Sequence, residues 1–338
     1  MTTLRILADD LTGALDSAAT FAGEVPVFLD APRAADASTV SVVATATRDV
    51  PAAELPALLA PSLPWLRGAD VAFKKVDSLL RGNTFVECAQ VASGFDRVVF
   101  APAFPQQGRF THDGRAWVEQ PGASMSQPIG ERPIAEAFAG LPLPEVWVPD
   151  ARSDDDLRRI AAVSLQEASR GWLWCGSAGL AQALAEVHGL RSAGAAPIVP
   201  SAPRVMLVSA SHHSVSRRQW ARLRGAVAPS PNLALFDLSP AERLSPAQAA
   251  ELLARQTGEI AAGPVRPATL IVVGGDTLRA LCQASGARSL LAQASPRAGW
   301  GRARLVGGRW DGVPVFSRSG AFGDDEDLVE IVGALTGA

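Results

Sequence analysis

The strongest constraint on the fold is a regular alternation between short apolar runs and amphipathic helical stretches. Seven apolar runs predict strands before residue 180, at residues 4–8, 25–29, 40–47, 70–76, 97–103, 145–149 and 171–176. Four more follow residue 200, in RVMLVSAS, NLALFDL, TLIVVGG and VPVFSRSG. Strands separated by helices pair in parallel and are covered on both faces. The alternation therefore predicts an α/β protein with largely parallel sheets.

The alternation is interrupted by residues 191–203, which are rich in Ala, Gly, Ser and Pro and predict a linker. A chain of 338 residues is long enough for two domains, each with its own core. We therefore predict two three-layer α/β domains, residues 1–195 and 204–338, with an interdomain cleft.

Composition excludes several classes of function. A net charge of −3 argues against a general nucleic-acid binder, which would carry a basic domain or stripe. No stretch approaches the ~20 apolar residues of a membrane helix, and the N-terminus has no signal-peptide pattern. The three cysteines lack metal-ligand spacing and are typical of reduced thiols. We expect a cytoplasmic protein with no nucleic-acid or membrane partner.

Ligands of parallel α/β sheets bind beyond the carboxyl ends of the strands, so polar residues directly after a predicted strand are site candidates. In LADDLTGALDSA (7–18), Asp9 and Asp10 end the first strand. Asp16 falls in the first turn of a helix predicted in DSAATFA (16–22). Carboxylates there can hold a cation, accept hydrogen bonds from sugar hydroxyls, or deprotonate one. Helix capping accounts for one of the three carboxylates but not for all.

Lysine is nearly absent from the chain. Of 31 basic residues 29 are Arg, and the two lysines, Lys74 and Lys75, are adjacent in FKKVDSLLRGN (73–83). They lie at the end of a predicted strand, before Asp77, Ser78 and Arg81. A compact ammonium and a planar guanidinium are not interchangeable at a binding site. The alternative to a binding role is a solvated charge pair on the surface.

A third segment, APAFPQQGRFTHDG (101–114), also follows a predicted strand, and we expect a loop there. Its Arg109 can clamp a carboxylate through two parallel hydrogen bonds. The adjacent His112 and Asp113 either carry out acid–base chemistry or are ordinary exposed loop residues.

In the second half, three turns that follow predicted strands are small and polar or rich in glycine. Their backbone N–H groups can meet an anion such as phosphate. The sequence contains neither a GxxxxGK[ST] P-loop nor GxGxxG, so neither a P-loop kinase nor a standard dinucleotide domain is predicted. The residues at these turns are Ser209, Ser211, Gly274, Gly275, Asp276, Thr277, Ser319, Gly320 and Gly323.

The order of ADDLTGALD, KKVDSLLRGN, PAFPQQGR, GSAGL, the Ser-rich turn, GGDT and SGAFG resembles the four-carbon acid sugar kinase family over nearly the whole chain. The resemblance implies an N-terminal sugar-binding domain and a C-terminal nucleotide-binding domain. It also implies phosphorylation of the terminal hydroxyl of threonate, erythronate or a 3-oxo-tetronate, with ATP and Mg²⁺. No metal ligand is assigned. Where the family usually has KSGNFG, this chain has Arg318 and then SGAFG.

The resemblance, together with the chemistry of each side chain, predicts a role for the candidate residues. Arg81 or Arg109 would hold the substrate carboxylate. Asp10 or Asp77 would accept the proton of the attacking hydroxyl, and Lys75 would neutralise charge on the substrate or the transferred phosphoryl group. The acid sugar would lie against Asp9, Asp10, Lys75, Asp77, Ser78, Arg81 and Arg109, and the nucleotide against the turn residues of the second half.

Two other functions remain open from the sequence. One is a non-catalytic sensor of a sugar acid or nucleotide, which the altered turns SASHH and SGAFG favour. The other is a metal-dependent sugar-acid isomerase or hydrolase that uses Asp9 and Asp10. The expected partners are a sugar acid and ATP, and we allow for a homo-oligomer.

Overall fold

The computed structural model describes residues 2–337 apart from 33–37, 120–124, 195–197, 199–203, 229, 241, 243 and 296–298. The chain divides into two compact units, Met1–Ser192 (unit 1) and Ala193–Ala338 (unit 2). The linker predicted at 191–203 falls largely outside the described residues.

Unit 1 is built on a parallel sheet with the strand order β2-β3-β1-β4-β10-β5-β9. A smaller antiparallel sheet has the order β6-β7-β8. In chain order the elements are β1 (Leu4–Ala8), α1 (Leu11–Ala18), β2 (Val25–Phe28), β3 (Val40–Ala44), α2 (Leu55–Leu59), α3 (Leu63–Arg67), β4 (Val71–Lys75), α4 (Thr84–Ala92), β5 (Arg97–Ala101), β6 (Arg109–His112), β7 (Arg115–Val118), β8 (Gln127–Ile129), α5 (Ile134–Ala137), β9 (Glu145–Trp147), α6 (Asp154–Ala162), β10 (Trp172–Gly176) and α7 (Ala178–Val187).

The central strands of unit 1 are apolar because both faces of the sheet are covered. β1, β3 and β4 are buried at every residue. Leu7 and Val43 join a core that includes Leu55 of α2 and Val91 of α4. The helices α1 and α7 contact each other and the sheet outside that core. Continuous burial of this kind explains why the strands read as unbroken apolar runs.

Unit 2 contains a mixed sheet with the strand order β12-β11-β13-β16-β15-β14. The strands β12, β11, β13 and β16 pair in parallel, whereas β15 is antiparallel to both its neighbours. In chain order the elements are β11 (Val205–Ser209), α8 (Ser214–Ala226), β12 (Leu233–Asp237), α9 (Pro246–Ala262), β13 (Thr269–Val273), α10 (Gly275–Ser285), β14 (Ser289–Gln293), β15 (Gly301–Val306), β16 (Pro314–Arg318) and α11 (Asp327–Thr336).

The predicted α/β class with largely parallel sheets is confirmed, and three local predictions are wrong or incomplete. The first helix begins at Leu11 rather than Asp16, because Asp10 caps it by accepting a hydrogen bond from the Gly13 amide. The segment expected as a loop contains β6, which pairs locally with β7. The antiparallel hairpin β14–β15 was not predicted. Among the described residues no helix is both long and apolar enough to cross a membrane.

Candidate functional site

The polar segments that follow β1, β3 and β4 lie at one edge of the unit 1 sheet. Ala8 at the end of β1 is paired with Ala44 on one side and with Lys75 on the other. Because the three strands are parallel, the residues after them emerge together. The register therefore brings Asp9 and Asp77 close together, although they are distant in sequence.

The centre of this edge is Arg48, a residue that the sequence analysis did not select. Its guanidinium donates to both carboxylate oxygens of Asp9, at 2.7 and 3.0 Å, and to Asp10 Oδ1 at 2.7 Å. Its Nη1 lies 3.7 Å from Asp77 Oδ2. Burial would lower the pKa of Arg48, but Asp10 and Asp9 raise it overall, so the guanidinium stays charged. The end of the strand predicted at 40–47 was the available signal, because Arg48 directly follows it.

The RGN part of the second motif holds Arg48 in place. The Asn83 side-chain amide donates to the carbonyls of Thr47 and Val50, at 3.0 and 2.8 Å. Gly82 adopts φ +68°, and a side chain there would collide with the Arg48 carbonyl oxygen. Glycine is required on both counts. Two residues of this motif therefore act by fixing the loop that carries the guanidinium.

Asp77 is held ionised by its neighbours. The Leu79 amide donates to its Oδ1 at 2.7 Å, and Arg81 donates to its Oδ2 through both Nε and Nη2. Burial by itself would raise the pKa of Asp77, but the hydrogen bonds from Arg81 and Leu79 and the charge of Arg48 lower it overall. Asp9 behaves in the same way, because the charges of Lys74 and Arg48 outweigh the effect of its burial on its pKa.

The two lysines are both buried, which excludes a solvated surface pair. Lys74 is 1% exposed and forms an ion pair with the equally buried Glu87, at 3.2 Å. Burial would lower the pKa of Lys74, but Glu87 and Asp9 raise it overall. Lys75, 7% exposed, donates to the Val76 carbonyl at 2.8 Å. Lys74 is thus paired with Glu87 and acts on Asp9 through its charge, whereas Lys75 lies beside the first turn of α1.

The close approach of Lys75 to the first turn of α1 depends on Gly13. A Cβ at Gly13 would lie 3.4 Å from Lys75 Nζ and 2.5 Å from Asp10 Oδ1. Asp10 also accepts a hydrogen bond from the Thr12 hydroxyl. The glycine in DDLTGALD therefore lets ammonium, carboxylate and helix terminus come together.

Arg109 and His112 lie at opposite ends of β6. Arg109 Nη1 donates to Ser78 Oγ and to Gln107 Oε1, both at 2.6 Å, so the structure connects Arg109 to the second motif. His112 lies at the hairpin turn, with Nε2 3.4 Å from Asp113 Oδ2. The expected grouping of Ser78 and Arg109 is therefore present, and the His–Asp pair belongs to the exposed hairpin.

In unit 2, the three selected turns follow the adjacent parallel strands β11, β13 and β16. Ser209 pairs with Val273, and Val273 with Arg318, so the strand ends are level. Ser216 donates to the Gly320 carbonyl at 2.7 Å, and a side chain at Gly320 would collide with Ser211 Oγ.

Helix termini complete this second group. Gly274 has φ +106° and precedes α10, whose first residues are Gly275, Asp276 and Thr277. Backbone N–H groups at the start of such a helix carry a partial positive charge and suit an anion. The turn after β16 contributes Ser319. The three turns thus lie side by side at the ends of β11, β13 and β16, and Gly323 of the third turn lies against Arg318 and Asp327.

Arg318, which stands where the resemblance has Lys, is a structural residue. Its side chain is 1% exposed, donates to Gln219, to the Phe322 carbonyl and to Asp327, and lies over the Trp300 ring. These bonds fix the turn at residues 319–324 from inside the unit. The planar guanidinium makes several directed bonds that an ammonium would not reproduce.

Fold and site together define an α/β ligand-binding protein, with a carboxylate- and cation-lined sheet edge in unit 1 and phosphate-compatible turns in unit 2. Residues 4–137 match the family model described as a sugar-binding N-terminal domain, and residues 237–328 match that of a nucleotide-binding C-terminal domain. The chain belongs to the four-carbon acid sugar kinase family, which confirms the resemblance.

Known proteins resemble the chain over most of its length. A D-threonate kinase from Bordetella bronchiseptica is 29% identical, over 98% of this chain and 97% of the relative. A D-threonate kinase from Cupriavidus necator is 31% identical, over 65% of this chain and 63% of the relative. A solved Salmonella typhimurium structure has a TM-score of 0.69 at 20% identity, covering 98% of this chain and 99% of that one. A Haemophilus influenzae structure has a TM-score of 0.66 at 18% identity, with coverages of 97% and 99%. The two structures support the fold alone.

Proposed function

We propose that the protein is an ATP-dependent kinase that phosphorylates the terminal hydroxyl of a four-carbon acid sugar of the threonate, erythronate or 3-oxo-tetronate type. The observation that carries the proposal is the group formed by Arg48, Asp9, Asp10 and Asp77 beside Lys75. It lies within the segment that matches the sugar-binding model. The names of the curated relatives, D-threonate kinase, support the class of substrate.

In unit 1, the cations would bind the substrate carboxylate and the carboxylates its hydroxyls. Arg81 is 56% exposed and Arg109 reaches Ser78, so either guanidinium can offer free donors to a carboxylate. Asp9 and Asp10 accept hydrogen bonds from Arg48 and would accept further ones from sugar hydroxyls. Lys75 would neutralise charge on the substrate or the phosphoryl group.

In unit 2, the nucleotide would lie on the three turns. The N–H groups of Gly275 and Thr277 would meet phosphate oxygens, and Ser211, Ser319 and Gly320 would line the opposite turns. Mg²⁺ in such enzymes is bound through phosphates and one or two carboxylates. Asp276, in the first turn of α10, would supply such a carboxylate. We also propose a cytoplasmic location, sugar acid and ATP as partners, and no nucleic-acid or membrane partner, and we allow for a homo-oligomer.

The test is a coupled ADP-release assay of the full chain with a panel of tetronic acids, ATP and Mg²⁺. ADP release that depends on one of these acids supports the proposal. Thermal stabilisation by a tetronate without ADP release would instead indicate a sensor. Turnover of a sugar acid that needs a divalent cation but no nucleotide would indicate an isomerase or hydrolase.

A matched pair of variants tests the site in the same assay. Lys75→Arg keeps the charge, but the larger guanidinium has to enter the buried position of the ammonium. We expect kcat to fall by at least about tenfold. Arg170→Lys, at an exposed ion pair with Glu167, is the control and should leave the rate unchanged. If Lys75→Arg has the same kcat as the wild type, the reaction does not need a lysine at this position.

A further inference from the structure

Asp9 and Asp10, which the sequence analysis selected, already accept hydrogen bonds from protein groups. Asp9 is bound by the Arg48 fork through both its oxygens. Asp10 accepts hydrogen bonds from Arg48, from Thr12 and from the Gly13 amide. Burial would raise the pKa of Asp9, but the charges of Lys74 and Arg48 and the hydrogen bond from Arg48 lower it overall, so Asp9 is a weak base. Both oxygens of Asp10 already accept hydrogen bonds from protein groups.

Asp77 likewise accepts hydrogen bonds from protein groups at both of its carboxylate oxygens. Arg81 and the Leu79 amide hold its two oxygens, and Arg48 lies 3.7 Å away. Its pKa is lowered overall, as described above. Protonation of Asp77 would weaken these interactions. Asp77 is therefore better suited to position the substrate than to accept its proton.

Asp16 differs from these three carboxylates in its contacts. It makes no hydrogen bond or ion pair with any residue that the structure describes, and its side chain is half-buried on α1. Residues three apart share a face of a helix, so Asp16 follows Gly13 on the face that lies beside Lys75 Nζ. Its carboxylate is therefore near the ammonium at the site and has its lone pairs available.

The charges around Asp16 come from the site alone. Burial raises its pKa to about 6, Lys75 opposes that shift, and Asp10 adds to it. Of the elements packed against α1, β2 and β3 carry no ionisable residue. Glu186 of α7 is paired with Arg158 and Arg191.

Besides Lys75, β4 carries Lys74, which forms an ion pair with Glu87. The other charged residue on a neighbouring strand lies at the far end of β1. Arg5 of β1 donates to the Ser38 carbonyl at 2.7 Å. A base works best when its pKa lies near the working pH, which the surroundings of Asp16 provide.

We propose that Asp16 is the general base of the reaction, an inference that rests on the proposed kinase function. The Asp16 carboxylate takes the proton of the attacking hydroxyl as that oxygen bonds to the γ-phosphorus of ATP. The bond between the γ-phosphorus and the bridging oxygen of ADP breaks, and ADP leaves with that electron pair. The proton on Asp16 is then released to water. Asp9, Asp10 and Asp77 hold the substrate, and the charge of Lys75 favours the ionised form of Asp16.

The test compares Asp16→Asn with Glu54→Gln, an exposed control on the same unit. We expect Asp16→Asn to lower kcat by about 10²- to 10⁴-fold, as is typical for loss of a general base, with tetronate affinity within threefold of wild type by calorimetry. In the wild type, kcat should fall below about pH 6, and this limb should be absent from the residual activity of the variant. Glu54→Gln should match the wild type throughout.

The outcomes separate the two proposals. If the wild type releases ADP with a tetronate and folded, substrate-binding Asp16→Asn keeps kcat within threefold, Asp16 is not the base. An acidic limb that persists in Asp16→Asn would also overturn the assignment. If Asp16→Asn fails to fold, Asp16→Glu, which keeps the carboxylate, should retain activity with a shifted acidic limb. If the wild type releases no ADP with any tetronate, the kinase function itself fails.

Discussion

Replacing Asp16 by Asn should stabilise the protein at neutral pH, which is unusual for a polar group inside a folded unit. Burial raises the pKa of Asp16 from 3.8 to about 6, so the folded chain resists ionisation of this carboxyl. A raised pKa means that the group contributes its stability fully below 3.8 and loses it as the pH rises through about 6. The shift corresponds to a cost of about 3 kcal/mol at pH 8, at 1.36 kcal/mol per pKa unit.

The assay is urea unfolding of the full chain, followed by tryptophan fluorescence at pH 8 and at pH 4.5. Asp16→Asn carries no ionisable group there, so it should exceed the wild type in free energy of unfolding by about 3 kcal/mol at pH 8 and by about 1 kcal/mol at pH 4.5. For a unit of this size the gain at pH 8 is about 6–12 °C in melting temperature. Higher stability with lower turnover would show that Asp16 is retained for function.

Asp156 provides a control of opposite sign in the same unit. The hydrogen bond that Asp156 accepts from the Ser153 hydroxyl is the main cause that lowers its pKa to about 2. It therefore contributes stability above 3.8, which is lost as the pH falls through about 2. Asp156→Asn should destabilise the chain at both pH values. The argument for Asp16 fails if Asp16→Asn is no more stable than the wild type at pH 8, or if its advantage does not shrink at pH 4.5.

Two further variants test the two units separately. Arg48→Ala leaves Asp9 buried without its guanidinium fork and should cost about 3–5 kcal/mol in urea unfolding, whereas a loss below about 1 kcal/mol would contradict the central place of Arg48. Gly320→Ala places a methyl group against Ser211 Oγ and should weaken binding of a non-hydrolysable ATP analogue. Gly225→Ala, whose added methyl meets nothing within 4 Å, is its control. If Gly320→Ala and Gly225→Ala bind the analogue with equal affinity, the turn at Gly320 does not contact the nucleotide.

The sequence alone determined the fold class and the places where function was to be sought. Apolar runs separated by helical stretches predicted the buried parallel strands, because burial on both faces of a sheet leaves a local and continuous signal. The rule that ligands bind at the carboxyl ends of strands selected Asp9, Asp77 and the turns of unit 2. The helix boundary at Leu11 was missed because capping by Asp10 is a side-chain contact rather than a periodicity.

Tertiary structure alone decided which side chain does what. Arg48 became the centre of the site because parallel pairing of β1 with β3 and β4 brings three separate segments to one edge. The two lysines are adjacent in sequence, yet Lys74 forms an ion pair with Glu87, whereas Lys75 lies beside Gly13 in the first turn of α1. Arg318 is at the end of a strand like the ligand candidates, but its side chain is buried inside unit 2. These assignments depend on strand register and packing between distant residues, and neither is encoded in a local pattern.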